Sequence, residues 1–323
     1  MKHPYLIDLN DEANWLYPIE LFGPDGVKHE DQRTINNGIG PHKLFCVTDS
    51  LMYKSNPEHT HFHEHLIGYE IFFIDSGGLN FYANSQKSYV EPGSILFIQP
   101  YEAHYMQFTA DTKFRGFFHD LRNSDNSPEL AILRKNRPAL AADPNFFREH
   151  ALGGHDSQMR EPLVCEEVPV EKMTTVRHID RPIASFDLGG ATMKMITGRW
   201  ENGGVCEMWA IEMQPGFQVE WDQFPTEPEM YYVTKGEVKF KIYDEEFVAT
   251  PECVVKVPKF AEHSIEALTD SVMYDVGGLT RWYAFLQDRA SIMKYDPERA
   301  KLPETIAELK RKYGCNVKSF GLK

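Results

Sequence analysis

The chain has 323 residues and a mass of 37.3 kDa, enough for two ordinary domains or one large one. With 42% hydrophobic and 25% charged residues it has the composition of a soluble globular protein, and no apolar run is long enough to cross a bilayer, so a membrane is not an expected partner. A formal net charge of -14 repels phosphate backbones and no basic cluster offsets it, so nucleic acid is excluded as an expected partner too.

The opening stretch, MKHPYLIDLNDEANWLYP, lacks a basic segment followed by an uninterrupted apolar one; no secretory signal is read there, and a cytoplasmic location is expected. Residues 1–45 read as an N-terminal arm that packs on the β-rich units of the chain. The five cysteines, Cys46, Cys165, Cys206, Cys253 and Cys315, are scattered and form no CxxC, which points to reduced thiols and away from a disulfide framework or a cysteine zinc site.

Residues 46–120 read as an all-β unit. GYEIFFIDSGGLNFYA alternates and then turns at Gly77 and Gly78, and SYVEPGSILFIQP comes next at strand spacing, which is a β-hairpin pattern. Residues 121–185 are richer in polar and turn residues and read as a connecting segment. Residues 186–286 repeat the first unit: Glu70 recurs 159 residues on as Glu229, and the same offset carries Gly77 to Gly236, Pro92 to Pro251 and His104 to His263. Such gapless matches imply duplication of one all-β unit. Residues 287–323 read as a helical tail, because PETIAELKRKYG has a proline start, early acids, late bases and a glycine stop.

The stretch HTHFHEHLIGYE, residues 59–70, carries the chemistry. His63 and His65 lie two apart, so on an extended strand both leave the same face. Glu70 can approach them after a bend at Gly68, and His104 comes from a later strand. Three imidazoles and a carboxylate suit a borderline divalent ion and, in an octahedral arrangement, leave two positions open for substrate or dioxygen. His61 with His63 is an alternative register; otherwise His59 and His61 are solvated loop residues. The competing reading is a satisfied polar cluster, disfavoured because four buried polar groups would each need a partner. Arg115 and His119, on the strand after His104, are candidate inward-facing substrate-binding residues, with a surface or capping role as the alternative. Phe72 and Met106 are placed in the same substrate-binding set, as lining for an aromatic small molecule.

These residues resemble the cupin superfamily, whose first motif is G-x5-HxH-x3,4-E-x6-G and whose second is G-x5-PxG-x2-H-x3-N. His63, His65, Glu70 and Gly77 satisfy the ligand-bearing part of the first, and Gly93 and His104 hold their places in the second. Pro57 replaces the leading glycine, the proline falls at Pro100, one position late, and Tyr101 and Phe108 replace the glycine and asparagine; these departures affect turns more than ligands. The resemblance spans both repeats and implies an all-β bicupin, two jelly-roll barrels in tandem with short flanking helices and a C-terminal helix.

At the repeat offset His63 and His65 become Asp222 and Phe224, so one metal per chain is expected, held by His63, His65, Glu70 and His104. The resemblance implies a metal-dependent dioxygenase of the quercetinase type, acting on an aromatic or enol-bearing small molecule. Fe2+ is the foremost ion, with Mn, Ni, Co and Zn as alternatives. Glu70 is then a ligand and, once displaced by substrate, the general base. Two alternatives stay open: a redox-neutral isomerase or lyase acting through a metal-stabilised enediolate, and a non-catalytic small-molecule-binding cupin. A homodimer is the expected assembly.

Overall fold

The computed structural model describes residues 3–22, 26–35, 46–55, 62–65, 69–83, 86–99, 102, 104–119, 138–141, 155–158, 176–201, 206–221, 229–258, 261–277, 282–313 and 317–322. The chain divides into two compact units, one formed by Asp11–Arg181 and the other by Met1–Asn10 with Pro182–Lys323.

Strand β1 (Leu6–Asp8) opens the chain but belongs to the second unit. The first unit holds β2 (Leu16–Phe22), β3 (Lys28–Ile35), β4 (Cys46–Met52), β5 (Phe62–His65), β6 (Tyr69–Ser76), β7 (Leu79–Ala83), β8 (Gln86–Val90), β9 (Ser94–Ile98), β10 (His104–Phe108), β11 (Thr112–His119), β12 (His155–Gln158) and β13 (Val176–His178). The second holds β14 (Ala184–Asp187), β15 (Ala191–Thr197), β16 (Met208–Met213), β17 (Phe217–Trp221), β18 (Glu229–Lys235), β19 (Val238–Ile242), β20 (Glu245–Ala249), β21 (Cys253–Val257), β22 (His263–Ala267), β23 (Ser271–Asp275) and β24 (Val317–Leu322).

In the first unit a seven-stranded sheet, β13-β9-β6-β11-β4-β3-β2, accompanies a five-stranded one, β12-β5-β10-β7-β8. The second unit repeats that plan as β1-β21-β18-β23-β16-β15-β14 and β20-β19-β22-β17-β24. Both sheets of the first unit contribute to one core: Phe72, Ile74, Leu96, Ile98, Phe114 and Phe118 come from the larger sheet, and Leu79, Phe81, Val90, Met106 and Phe108 from the smaller. Alternation along each strand puts these even-numbered positions of β6, β9, β10 and β11 on the inner face. The central strands β6 and β9 are buried on their other face as well, which is why YEIFFI and SILFI read as continuous apolar runs.

The repeat extends to the turns. Gly77 and Gly236 both adopt positive φ, +86° and +77°, and a Cβ at either would overlap a backbone carbonyl oxygen, that of Asp111 or Asp270. Only glycine fits such a position without strain.

The segments flanking the barrels differ from their sequence reading. Among the described residues of 1–45, the arm is built into the sheets: β2 and β3 extend the first unit's larger sheet through the β3–β4 pairing, while β1 pairs with β21 in the second unit. The connecting segment supplies β12 and β13, and the helical tail ends in β24, paired with β17. Each of these additions satisfies backbone donors and acceptors that a sheet edge would otherwise leave unpaired. The tail's helices, Trp282–Tyr295 and Pro303–Tyr313, send Phe285, Leu286 and Leu309 into the second unit's core. Among the described residues no helix is long and apolar enough to cross a membrane.

Candidate metal centre

His104 begins β10, and its side chain shares the inner face with Met106 and Phe108. Directly opposite it across the β10–β5 pairing stands His63. Residues opposed in an antiparallel pair project from the same face, so His63, and with it His65 two residues on, occupies an inner-face position. The side chains of β5 lie outside the described residues, as do His59 and His61.

Glu70 approaches from the other sheet. On β6 it is paired with Ile98 of β9 and Phe118 of β11, both inner-facing. Its Oε2 lies 3.5 Å from His104 Nε2, and both side chains are buried. The His104 Nδ1 is 2.7 Å from the carbonyl oxygen of Glu102. A carbonyl only accepts, so Nδ1 is the donor in this contact and Nε2 is the ring nitrogen turned towards the carboxylate. Metal-binding histidines are held in this way, with the second ring N–H given to a backbone carbonyl.

The donor set fits a divalent transition ion. One imidazole nitrogen and one carboxylate face each other in a closed interior, and two further histidines occupy same-face positions on the neighbouring strand. Around them the lining is apolar: Phe81 has its ring centroid 5.8 Å from that of His104, and Phe72 packs edge-on against Phe114 and Phe118. Phe72 and Met106 thus share the interior with Glu70 and His104.

Of the other two candidate substrate residues, Arg115 needs correction. Arg115 lies between inner-facing Phe114 and Gly116 and therefore projects to the opposite face of the sheet. There its Nη1 is 3.3 Å from Asp49 Oδ1, and its guanidinium lies 5.2 Å from the centre of the Trp15 ring, which Arg33 also approaches at 4.6 Å. His119 is paired with Tyr69, and its side chain lies outside the described residues. The sequence reading missed the facing of Arg115 because a strand buried on both faces does not reveal which parity points inward.

Register also brings in a histidine that pattern reading passed over. β12 pairs with β5 so that His155 stands opposite His65 and Ser157 opposite His63, on the face of the expected ligands. Its only sequence signal is a histidine in a polar segment.

In the second unit Glu229 and His263 meet more closely, with Oε2 and Nε2 2.8 Å apart, and His263 Nδ1 lies 3.1 Å from the Ala261 carbonyl oxygen. Asp222 and Phe224 lie outside the described residues. Tyr231 and Asp275 help line a cavity of ≈ 10 Å³, about the room for one water.

Comparison of the sequence with protein-family models and with curated proteins finds no match. Solved structures do match. Bacillus subtilis oxalate decarboxylase, a protein with Mn(II) centres, aligns at 14% identity and a TM-score of 0.52 over 92% of this chain and 85% of that one. The Lactobacillus farciminis oxalate decarboxylase formate complex aligns at 13% identity and 0.50 over 95% and 97%. A likeness at this level of identity concerns architecture, and the chain has the bicupin fold.

Proposed function

We propose that the first barrel is the single active site of a metal-dependent enzyme running a redox-neutral lyase or isomerase reaction on a small molecule that chelates through adjacent oxygens. The observation that carries this reading is the buried His104–Glu70 pair, its imidazole oriented by the Glu102 carbonyl. His63, His65, Glu70 and His104 would hold one divalent ion per chain. When bound, the ion would polarise a substrate oxygen and stabilise enediolate-like negative charge.

The chain's own residues supply the rest. Glu70 would accept a proton from the α-carbon or hydroxyl of a substrate lying against His104, and return it elsewhere on the same molecule. Phe72, Phe81 and Phe118 exclude water from that transfer and accommodate an apolar substituent. Oxalate decarboxylases, the structural relatives, are lyases, which supports this reading over an oxidative one. Manganese, the ion of the Bacillus protein, becomes the first to test, ahead of iron.

The aromatic lining around Glu70 favours a second reading, a dioxygenase acting on an aromatic or enol-bearing substrate. One experiment separates the two: metal-loaded protein is offered hydroxy acids, keto acids, catechols and diketones while product and dissolved oxygen are followed together. Turnover without net oxygen uptake, lost on chelation and restored by Mn(II), is the expected result. Oxygen consumed in proportion to product would replace the first reading with the second.

A further inference from the structure

The two barrels differ at one interior position beside the glutamate of each. Phe72 of the first is matched, 159 residues on, by Tyr231 of the second. Both are buried, and each comes two residues after its glutamate on a strand, so ring and carboxylate share the inner face. In the second barrel the Tyr231 hydroxyl donates to Glu229 Oε2 at 2.8 Å, and that same oxygen lies 2.8 Å from His263 Nε2. In the first, Phe72 has no hydroxyl to give. Its ring sits edge-on to Phe114 and Phe118, with centroids at 5.1 and 5.5 Å, and the glutamate-to-histidine distance opens to 3.5 Å.

A buried carboxylate is stable only when hydrogen bonds or a cation meet its charge. A phenol O–H aimed at the oxygen that faces the imidazole occupies the direction from which a cation would be bound. We propose that a phenol at this position competes with a divalent ion for the glutamate beside it: Phe72 brings no O–H to Glu70, whereas Tyr231 donates to Glu229 in the barrel that has also lost the two histidines at its repeat offset. Phe72 is a positioning residue, acting through Glu70, and the inference rests on the reading of the first barrel as the metal-holding one.

The test compares wild type, F72Y, F72L and Y231F by Mn(II) titration, elemental analysis and thermal unfolding of the metal-free proteins. Wild type and F72L are expected to bind one equivalent alike, and F72Y at least tenfold more weakly, since its new hydroxyl competes for Glu70. Y231F should keep wild-type Mn(II) binding but melt about 2–6 °C lower, having lost the donor to Glu229. F72Y with wild-type affinity would overturn the inference while leaving the metal site standing; a wild type that binds no divalent ion would instead overturn the reading of the first barrel. Should F72Y not fold, Y231F decides: a wild-type melting temperature for it refutes the proposed role of the phenol.

Discussion

His104 Nε2 and Glu70 Oε2 face each other at 3.5 Å from strands of different sheets, with the far nitrogen of the imidazole already bound to the Glu102 carbonyl. A ligand pair spanning two sheets holds its geometry only if both strands keep register. His104→Ala is therefore expected to remove most of the bound ion and most of the activity, more than the 10- to 100-fold loss of affinity typical when a supporting group is removed. Elemental analysis of the purified variant checks this; full metal content would rule out the assigned site.

Glu70→Gln separates ligation from proton transfer. The three histidines should retain part of the metal, while turnover per bound ion falls about a hundredfold, the scale of a missing general base. Metal content and turnover must be measured on the same preparation. Turnover per ion near that of wild type would mean that Glu70 only helps hold the ion.

Arg115 belongs to stability rather than to the site. It pairs with Asp49 on the outer face beneath Trp15, so Arg115→Ala should cost about 1–3 kcal/mol in denaturant unfolding. Asp49 keeps Arg33 as a second partner at 2.8 Å, which moderates the loss. Metal content and activity of the folded variant should match wild type, and a selective drop in kcat would return Arg115 to the site.

Two glycines with nearly the same φ offer a controlled comparison. Gly77 at +86° has the Asp111 carbonyl and Thr112 where a Cβ would go, whereas Gly216 at +85° has nothing within 4 Å. Gly216→Ala should cost about 1–2 kcal/mol from left-handed strain alone. Gly77→Ala should cost about 2–4 kcal/mol, because backbone must move as well. Equal losses in chemical denaturation would show that the close approach at Gly77 is readily relieved.

The tail offers a pH test. Lys312 and then Tyr313 donate hydrogen bonds to Asp288, holding its carboxyl below the usual aspartate range. A depressed folded-state pKa gives stability that is present above the unfolded value, about 3.9, and is lost as pH falls through the folded value. The group is partly exposed, with 38% of its side-chain surface accessible, so solvent screens the pair and Asp288→Asn should cost less than about 1 kcal/mol at pH 7. The difference from wild type should shrink as pH falls below the unfolded value and vanish once it has passed the lower folded one. A difference that persists or grows in acid would show that the ion pair is not its source.

The duplication was legible in the sequence because glycine, proline, glutamate and histidine recur at one offset, each at a turn or strand position that tolerates few substitutes. So was the helix at Pro303–Tyr313, whose start and stop signals are local. His63, His65, Glu70 and His104 are candidates from spacing together with the cupin motif they resemble, since two residues apart on a strand means one face, but spacing by itself also allows His61 with His63. Spacing gives only relative faces. Whether Arg115 or Phe114 points into the barrel depends on which neighbours β11 pairs with, and β6 and β9 are apolar on both faces. The positions of His155 opposite His65 and of β1 beside β21 likewise come from pairings between segments far apart in the chain. Local sequence sets strand, turn and helix through φ, ψ and side-chain period, whereas register and facing are fixed only when distant strands exchange hydrogen bonds and bury one face together.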